Sequence, residues 1–268
     1  MFHQVARTRR RALLFGTWSE ARVLWVKIAE RVPGISALCL MPDHVHLLTV
    51  GDSRRELGHA LSAYVRWHNA RNGLSGRLLA PSPDAVRIDD PLKIRRTERY
   101  IHLNPCRAGL CGDPLEWPFS TYRDAVGLTA DPVRRPDPDP ARTHAYTSAD
   151  PSVRVQGTLL PAAMASPPTA DAVFDAVGAL SRRVAIDLKV RGPARTLFVR
   201  AARVLTAASC SEVAALAAVT PRAVERVEIQ HDLYTRRVER VVGDSRFAAL
   251  WPGELRMLHG WGRYRRSA

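Results

Sequence analysis

An apolar run from Ile35 to Met41, the turn pair Pro42-Asp43 and a second run from His44 to Val50 constrain this chain to a β-hairpin. The second run is apolar apart from His44, His46 and Thr49. Side chains alternate across a strand, so His44 and His46 project from one face while Val45 and Leu47 enter the other. Two imidazoles on one face can share a divalent cation. A His-x-His pair also occurs on strands as a structural or solvated feature, and the spacing alone leaves both readings open.

Further along comes Tyr100-Ile101-His102-Leu103-Asn104-Pro105. Pro91 suits a first helical turn, Leu92, Ile94, Ile101 and Leu103 supply apolar positions, and Pro105 predicts a stop near Asn104. On such a helix Tyr100 and Asn104 lie one turn apart on one face, with Arg96 a turn earlier. A metal held by two neutral imidazoles and an amide oxygen keeps open positions, where it can polarise a phosphate oxygen. Tyrosine has an unperturbed pKa of about 10, so it needs such a metal, a basic neighbour or a water to lose its proton as it attacks. The chemistry these residues suit is phosphoryl transfer through a covalent phosphotyrosine. The competing reading is a tyrosine that only packs in an amphipathic helix.

Three ordered motifs carry a resemblance. Met41-Pro42-Asp43-His44-Val45-His46-Leu47-Leu48, then Tyr100-Ile101-His102-Leu103-Asn104-Pro105-Cys106-Arg107-Ala108-Gly109-Leu110, then Trp117-Pro118-Phe119-Ser120-Thr121-Tyr122-Arg123 resemble the HUH single-tyrosine transposases, specifically the REP-associated tyrosine transposase branch. The resemblance implies an α+β fold, a ferredoxin-like palm whose antiparallel sheet carries helices on one face. It also implies cleavage of single-stranded DNA beside hairpins. Under it His44, His46 and Asn104 would be the protein ligands of magnesium or manganese, and Tyr100 the nucleophile that takes the 5′-phosphate. One departure is Gly76-Arg77-Leu78-Leu79-Ala80-Pro81-Ser82-Pro83, which has no aromatic residue where family members often carry several. Its two prolines weaken the expectation of a strand or of base stacking there.

Composition agrees with a nucleic-acid partner. Lys+Arg of 40 against Asp+Glu of 26 gives a net charge of +14 and a pI near 10.7, and each basic contact to a phosphate releases counterions. Ribosomal and membrane-surface proteins share such a charge. Arg7, Arg9, Arg10 and Arg11 cluster near the start, and Lys93, Arg95, Arg96 and Arg99 crowd the tyrosine helix. Arg96 and Arg99 are the candidate DNA contacts there, Arg96 on the tyrosine's own stripe.

The chain of 268 residues, 46% hydrophobic, suits one sizeable domain or two small ones. Pro132, Pro136, Pro138, Pro140, Pro151, Pro161, Pro167 and Pro168 mark residues 128–170 as a linker between a nuclease domain, 1–127, and a helical region, 171–268. In the last region Val173, Phe174, Val177, Leu180 and Val184 keep helical spacing, and Leu197 to Leu205 continues it after Gly192-Pro193. Ser209-Cys210-Ser211-Glu212 has capping-box spacing before Val213 to Ala217, and Thr220-Pro221 opens a second helix expected to run to about Gln230. This helix-turn-helix pattern would present Arg222, Glu225, Arg226 and Gln230 to a groove or a hairpin. A bundle that only buttresses the palm predicts the same apolar spacing. The stretch from Trp251 to Arg266 mixes tryptophan, tyrosine and arginine and suits either base stacking or docking.

Cys39, Cys106, Cys111 and Cys210 lack paired Cys-x-x-Cys spacing, which points to free thiols in a reducing cytoplasm, and a DNA partner there would make the protein nucleoid-associated. A ligand set of His102, Cys106 and Cys111 is a minor alternative. No run of about 18 apolar residues and no signal-peptide pattern occurs, so no membrane partner is expected. No Gly-rich phosphate loop is present, so no nucleotide cofactor is expected. The expectation is a metal-dependent single-strand endonuclease and strand transferase acting at REP-like hairpins, as monomer or homodimer. The alternative is a domesticated regulator that grips hairpins without cutting. A cyclic-phosphodiesterase-like enzyme would need a second His-x-Ser/Thr motif, which the sequence lacks.

Overall fold

The computed structural model describes residues 1–81, 85–155, 159, 166–183 and 188–250. Four strands, β1 (Phe2–Arg7), β2 (Ile35–Met41), β3 (His44–Thr49) and β4 (Val86–Arg87), form an antiparallel sheet in the order β2-β3-β1-β4. Helix α1 (Trp18–Ala29) joins β1 to β2, α2 (Arg54–Asn72) joins β3 to β4, and α3 (Pro91–Arg107) follows β4. Local chemistry sets these boundaries. Thr17 and Glu20 form a reciprocal capping box at the start of α1. Asp90 accepts the Leu92 and Lys93 N–H groups ahead of Pro91, and Gly73 ends α2 in the left-handed region at φ 62°.

The hairpin forms in the register the apolar runs dictate, with Met41 opposite His44 and Cys39 opposite His46. The proline-rich stretch after Gly76 still pairs with the end of β1: Arg9 donates its N–H to the Leu78 carbonyl and Ala80 donates to that of Arg7. Helix α3 differs from expectation, because it passes through Pro105 and ends at Arg107. Pro105 lacks the donor for the Ile101 carbonyl and its ring crowds that carbonyl, yet the turn is carried past it by Ala108 and Leu110, which donate to the carbonyls of Asn104 and Pro105.

The two faces of the sheet have different covers. Cys39 and Ser120 bridge on one face, and the intervening Phe119 points to the other, where it packs on Trp18 and Trp25 of α1. Helix α2 packs on α1. Helix α3 crosses the Cys39 face instead, with Tyr100 against His46. The expectation of helices on one face therefore describes the two crossover helices, while α3, which enters after the last strand, folds back beneath the sheet.

The third motif, Trp117 to Arg123, is stitched to the β2 edge. Leu40 donates its N–H to the Phe119 carbonyl, Thr121 donates to Leu38, and the Trp117 indole donates to the Leu40 carbonyl. Thr121 Oγ1 accepts from Leu38 N–H at 2.9 Å and lies 3.1 Å from His102 Nε2. His102 is therefore a buried bracket between α3 and the sheet edge rather than a ligand.

Seven further helices are described: α4 (Tyr122–Ala125), α5 (Pro140–Ser148), α6 (Ala170–Leu180), α7 (Pro193–Leu205), α8 (Cys210–Ala217), α9 (Pro221–Glu225) and α10 (Leu233–Val241). The proline-rich segment carries α5, whose Tyr146 ring lies under the Arg99 guanidinium at 4.5 Å and whose His144 meets the Tyr122 hydroxyl at 2.9 Å. Phe174 of α6 and Phe198 of α7 pack edge-on at 4.9 Å. Helix α9 ends at Glu225 rather than near Gln230. The Arg203 guanidinium of α7 donates to the carbonyls of Val224, Glu225 and Val227 and so caps the end of α9. Val184 and the stretch from Trp251 to Arg266 lie outside the described residues. No helix among the described residues is long and apolar enough to cross a membrane.

A buried ionic network joins the third motif to the C-terminal helices. Arg182 pairs with Asp124 at 2.5 Å and stacks on Trp25 at 4.3 Å. Arg246 pairs with Asp113 at 3.1 Å, and Arg123 donates to the carbonyls of Leu115, Ala179 and Arg246. Removing one partner of a buried pair strands the other charge. Asp124→Ala is accordingly expected to cost about 3–5 kcal/mol in urea unfolding followed by circular dichroism; an unchanged midpoint would contradict a structural role for the pair.

Burial, helped by Arg134, pushes His102 from 6.5 down to about 3. The unfolded chain thus binds a proton that the folded chain refuses, so this contribution to stability is complete above 6.5 and is lost as pH falls toward 3. His102→Gln should flatten the loss of stability across that window in urea midpoints measured at stepped pH. Parallel curves for variant and wild type would count against it.

Candidate metal and tyrosine site

His44 and His46 stand on the face of β3 that α3 crosses. Their rings are nearly perpendicular, with centroids 4.8 Å apart. The Tyr100 ring meets His46 edge-on at 5.5 Å, and Tyr100 keeps 39% of its surface exposed. The tyrosine is therefore open to water on one side and held against an imidazole on the other. One turn on, Asn104 donates Nδ2 to the Tyr100 carbonyl at 2.8 Å. Its Oδ1 accepts no hydrogen bond among the described residues.

Both imidazoles are tied through Nδ1. His44 Nδ1 lies 2.6 Å from Asp43 Oδ1, and His46 Nδ1 lies 3.3 Å from His3 Nε2. Neither Nε2 meets a hydrogen-bond partner among the described residues. Burial, reinforced by His44, His3 and Arg7, drives His46 down to about 2. The ring is consequently neutral at physiological pH, the state in which a histidine can bind a metal. Among the described residues, no three His, Cys, Asp or Glu side chains are grouped to hold an ion by themselves. Were an ion held here, a third protein donor would come from another residue type, and the Asn104 amide oxygen fits by chemistry and by its place on the tyrosine stripe. Two imidazoles and an amide oxygen would suit a divalent cation that keeps open positions.

The remaining candidates divide. Arg96 is exposed and makes no ion pair among the described residues. Arg99 turns to α5, stacked on Tyr146 and 3.6 Å from Asp150. Arg222 and Arg226 are exposed at α9 and share no contact with Tyr100, His44 or His46 among the described residues. Cys106 and Cys111 lie with Sγ atoms 3.6 Å apart as buried free thiols.

Sequence reasoning missed His3, Asp43 and Arg107. Strand alternation puts His3, Val5 and Arg7 on one face of β1, and pairing β1 with β3 would have set that face beside the histidines. Asp43 was hidden by its role in the turn. Arg107 lies 5.3 Å over the Tyr100 ring and donates to Asp150 at 2.9 Å. An expected helix stop at Asn104 had placed it off the tyrosine helix.

No protein-family model matches the sequence, and no curated protein matches it. Among solved structures the chain is similar to a REP-associated tyrosine transposase bound to a REP hairpin. The two are 22% identical, the match covers 49% of this chain and 82% of that one, and the TM-score is 0.39. A likeness of that extent is distant and leaves the site's own geometry to carry the functional reading.

Proposed function

We propose that this protein is a metal-dependent single-strand DNA endonuclease and strand transferase of the HUH tyrosine type, acting beside hairpins. The observation that carries the reading is the half-exposed Tyr100 ring set against His46, with His44 alongside and each histidine tied through Nδ1. The β-α-β-β-α-β connectivity and the strand order β2-β3-β1-β4 support a ferredoxin-like palm. His44 and His46, through Nε2, and Asn104, through Oδ1, would hold the cation. Manganese suits this nitrogen-rich donor set better than magnesium, which prefers oxygen ligands. When bound, the cation polarises the scissile phosphate and orients it.

Tyr100 supplies the nucleophile. Its hydroxyl oxygen attacks the phosphorus, its proton passes to the water that reaches the exposed ring, and the bond to the 3′ oxygen breaks. That oxygen leaves with a proton as a free 3′-hydroxyl, and the 5′-phosphate stays on Tyr100. Attack by a hydroxyl on this linkage reseals the strand, so the bond energy is conserved and no nucleotide is consumed. Arg107 on the ring face restrains the side chain, and exposed Arg96 is placed to meet a phosphate. Arg222 and Arg226 would contact the hairpin from the C-terminal helices.

With single-stranded hairpin DNA and manganese, wild-type protein should give a denaturation-resistant adduct on a denaturing gel. Tyr100→Phe should give none while binding the hairpin with wild-type affinity, and an undiminished adduct would refute the assignment. Hairpin binding without any adduct from the wild type would leave a protein that grips DNA without cutting it.

A further inference from the structure

His3 lies opposite Leu48 in the β1–β3 ladder, and Val5 lies opposite His46. His3 and His46 are therefore diagonal neighbours on one face, within reach of long side chains. Their rings are parallel to within 9° at 5.5 Å, and His3 Nε2 meets His46 Nδ1 at 3.3 Å. One of these nitrogens must carry the hydrogen. If His3 donates, His46 accepts at Nδ1, its own hydrogen sits on Nε2, and no lone pair remains for a cation. If His46 donates from Nδ1, its Nε2 is a free lone pair. A cation at this site requires the second arrangement.

We propose that His3 is a positioning residue: by accepting from His46 Nδ1 it fixes the tautomer and the ring direction that offer Nε2 to the cation, as Asp43 does for His44. This inference rests on the cation site proposed above. His3 itself is not a ligand, because its Nε2 is turned to His46 and the histidines form no ion-holding group of three among the described residues. The paired devices differ in strength. Asp43 meets His44 Nδ1 at 2.6 Å, and a neutral imidazole meets His46 at 3.3 Å; a carboxylate acceptor makes the stronger bond.

Manganese affinity of the DNA-free protein, measured by calorimetry, tests this directly. His3→Phe keeps a flat ring and removes the acceptor, and should weaken manganese binding by about 10- to 100-fold. His3→Gln offers an amide oxygen and should recover most of that loss. Hairpin affinity without metal should stay at the wild-type value in both. Wild-type manganese affinity in His3→Phe would overturn the role. His46→Ala separates the two claims: if it leaves manganese binding intact, the site lies elsewhere and the role of His3 falls with it. If it abolishes binding while His3→Phe does not, only the role of His3 fails. Should His3→Phe not fold, nitrogen chemical shifts of the His46 ring in wild-type protein still decide. A hydrogen on Nδ1 is expected, and a hydrogen on Nε2 would overturn the proposal.

Discussion

Everything at the site depends on how α3 is held across the sheet. A helix laid on a strand face by apolar contacts alone can slide or rotate, and a small error would carry Tyr100 away from the imidazoles. Specific polar contacts remove that freedom. Ser36 of β2 donates to Glu98, and Arg134 reaches the same carboxylate while donating to the Ser36 carbonyl. His102 meets Thr121, which is itself locked to Leu38 through both backbone and hydroxyl. These brackets flank Tyr100 in sequence, so they fix the register of the helix on β2 where the tyrosine emerges. Buried hydrogen bonds of this kind are costly to leave unmade, which gives them directional force that packing lacks.

The same logic explains the third motif. Trp117 to Arg123 supplies no group to the site, yet it completes the β2 edge, supports α3 through Thr121 and sends Arg123, with Asp124 just beyond it, into the network with the C-terminal helices. Several arginines that raise the net charge are spent inside the fold. Arg123, Arg182 and Arg246 are buried, and Arg99 and Arg134 are engaged by α5 and by Glu98 and Asp137. The charge available to a phosphate backbone therefore sits on exposed side chains, among them Arg9, Arg10, Arg11, Arg77 and Arg96.

What the sequence revealed follows from range of interaction. The hairpin and its two-residue alternation are local, and the strands run Ile35–Met41 and His44–Thr49 as the apolar pattern requires. The shared face of Tyr100 and Asn104 is likewise a property of one helix. The pairing of β1 with β3 is not local, so His3 gave no sign of its partner. Local rules also misplace ends that tertiary contacts decide. Helix α3 passes through Pro105, its last turn closed by the Ala108 and Leu110 N–H groups, and the end of α9 at Glu225 is met by Arg203 of α7, which donates to the Val224 and Glu225 carbonyls. The face chosen by α3 was beyond reach for the same reason, since it depends on what the crossover helices already cover.

The central claim is a cation shared by two imidazoles from one strand, within reach of a phenol from the facing helix. Anomalous diffraction from manganese-soaked crystals tests it most directly. A single strong peak at bonding distance from Nε2 of both His44 and His46, on the Tyr100 side of the rings, is the expected result. A peak on other residues, or none at these nitrogens under saturating manganese, would contradict it.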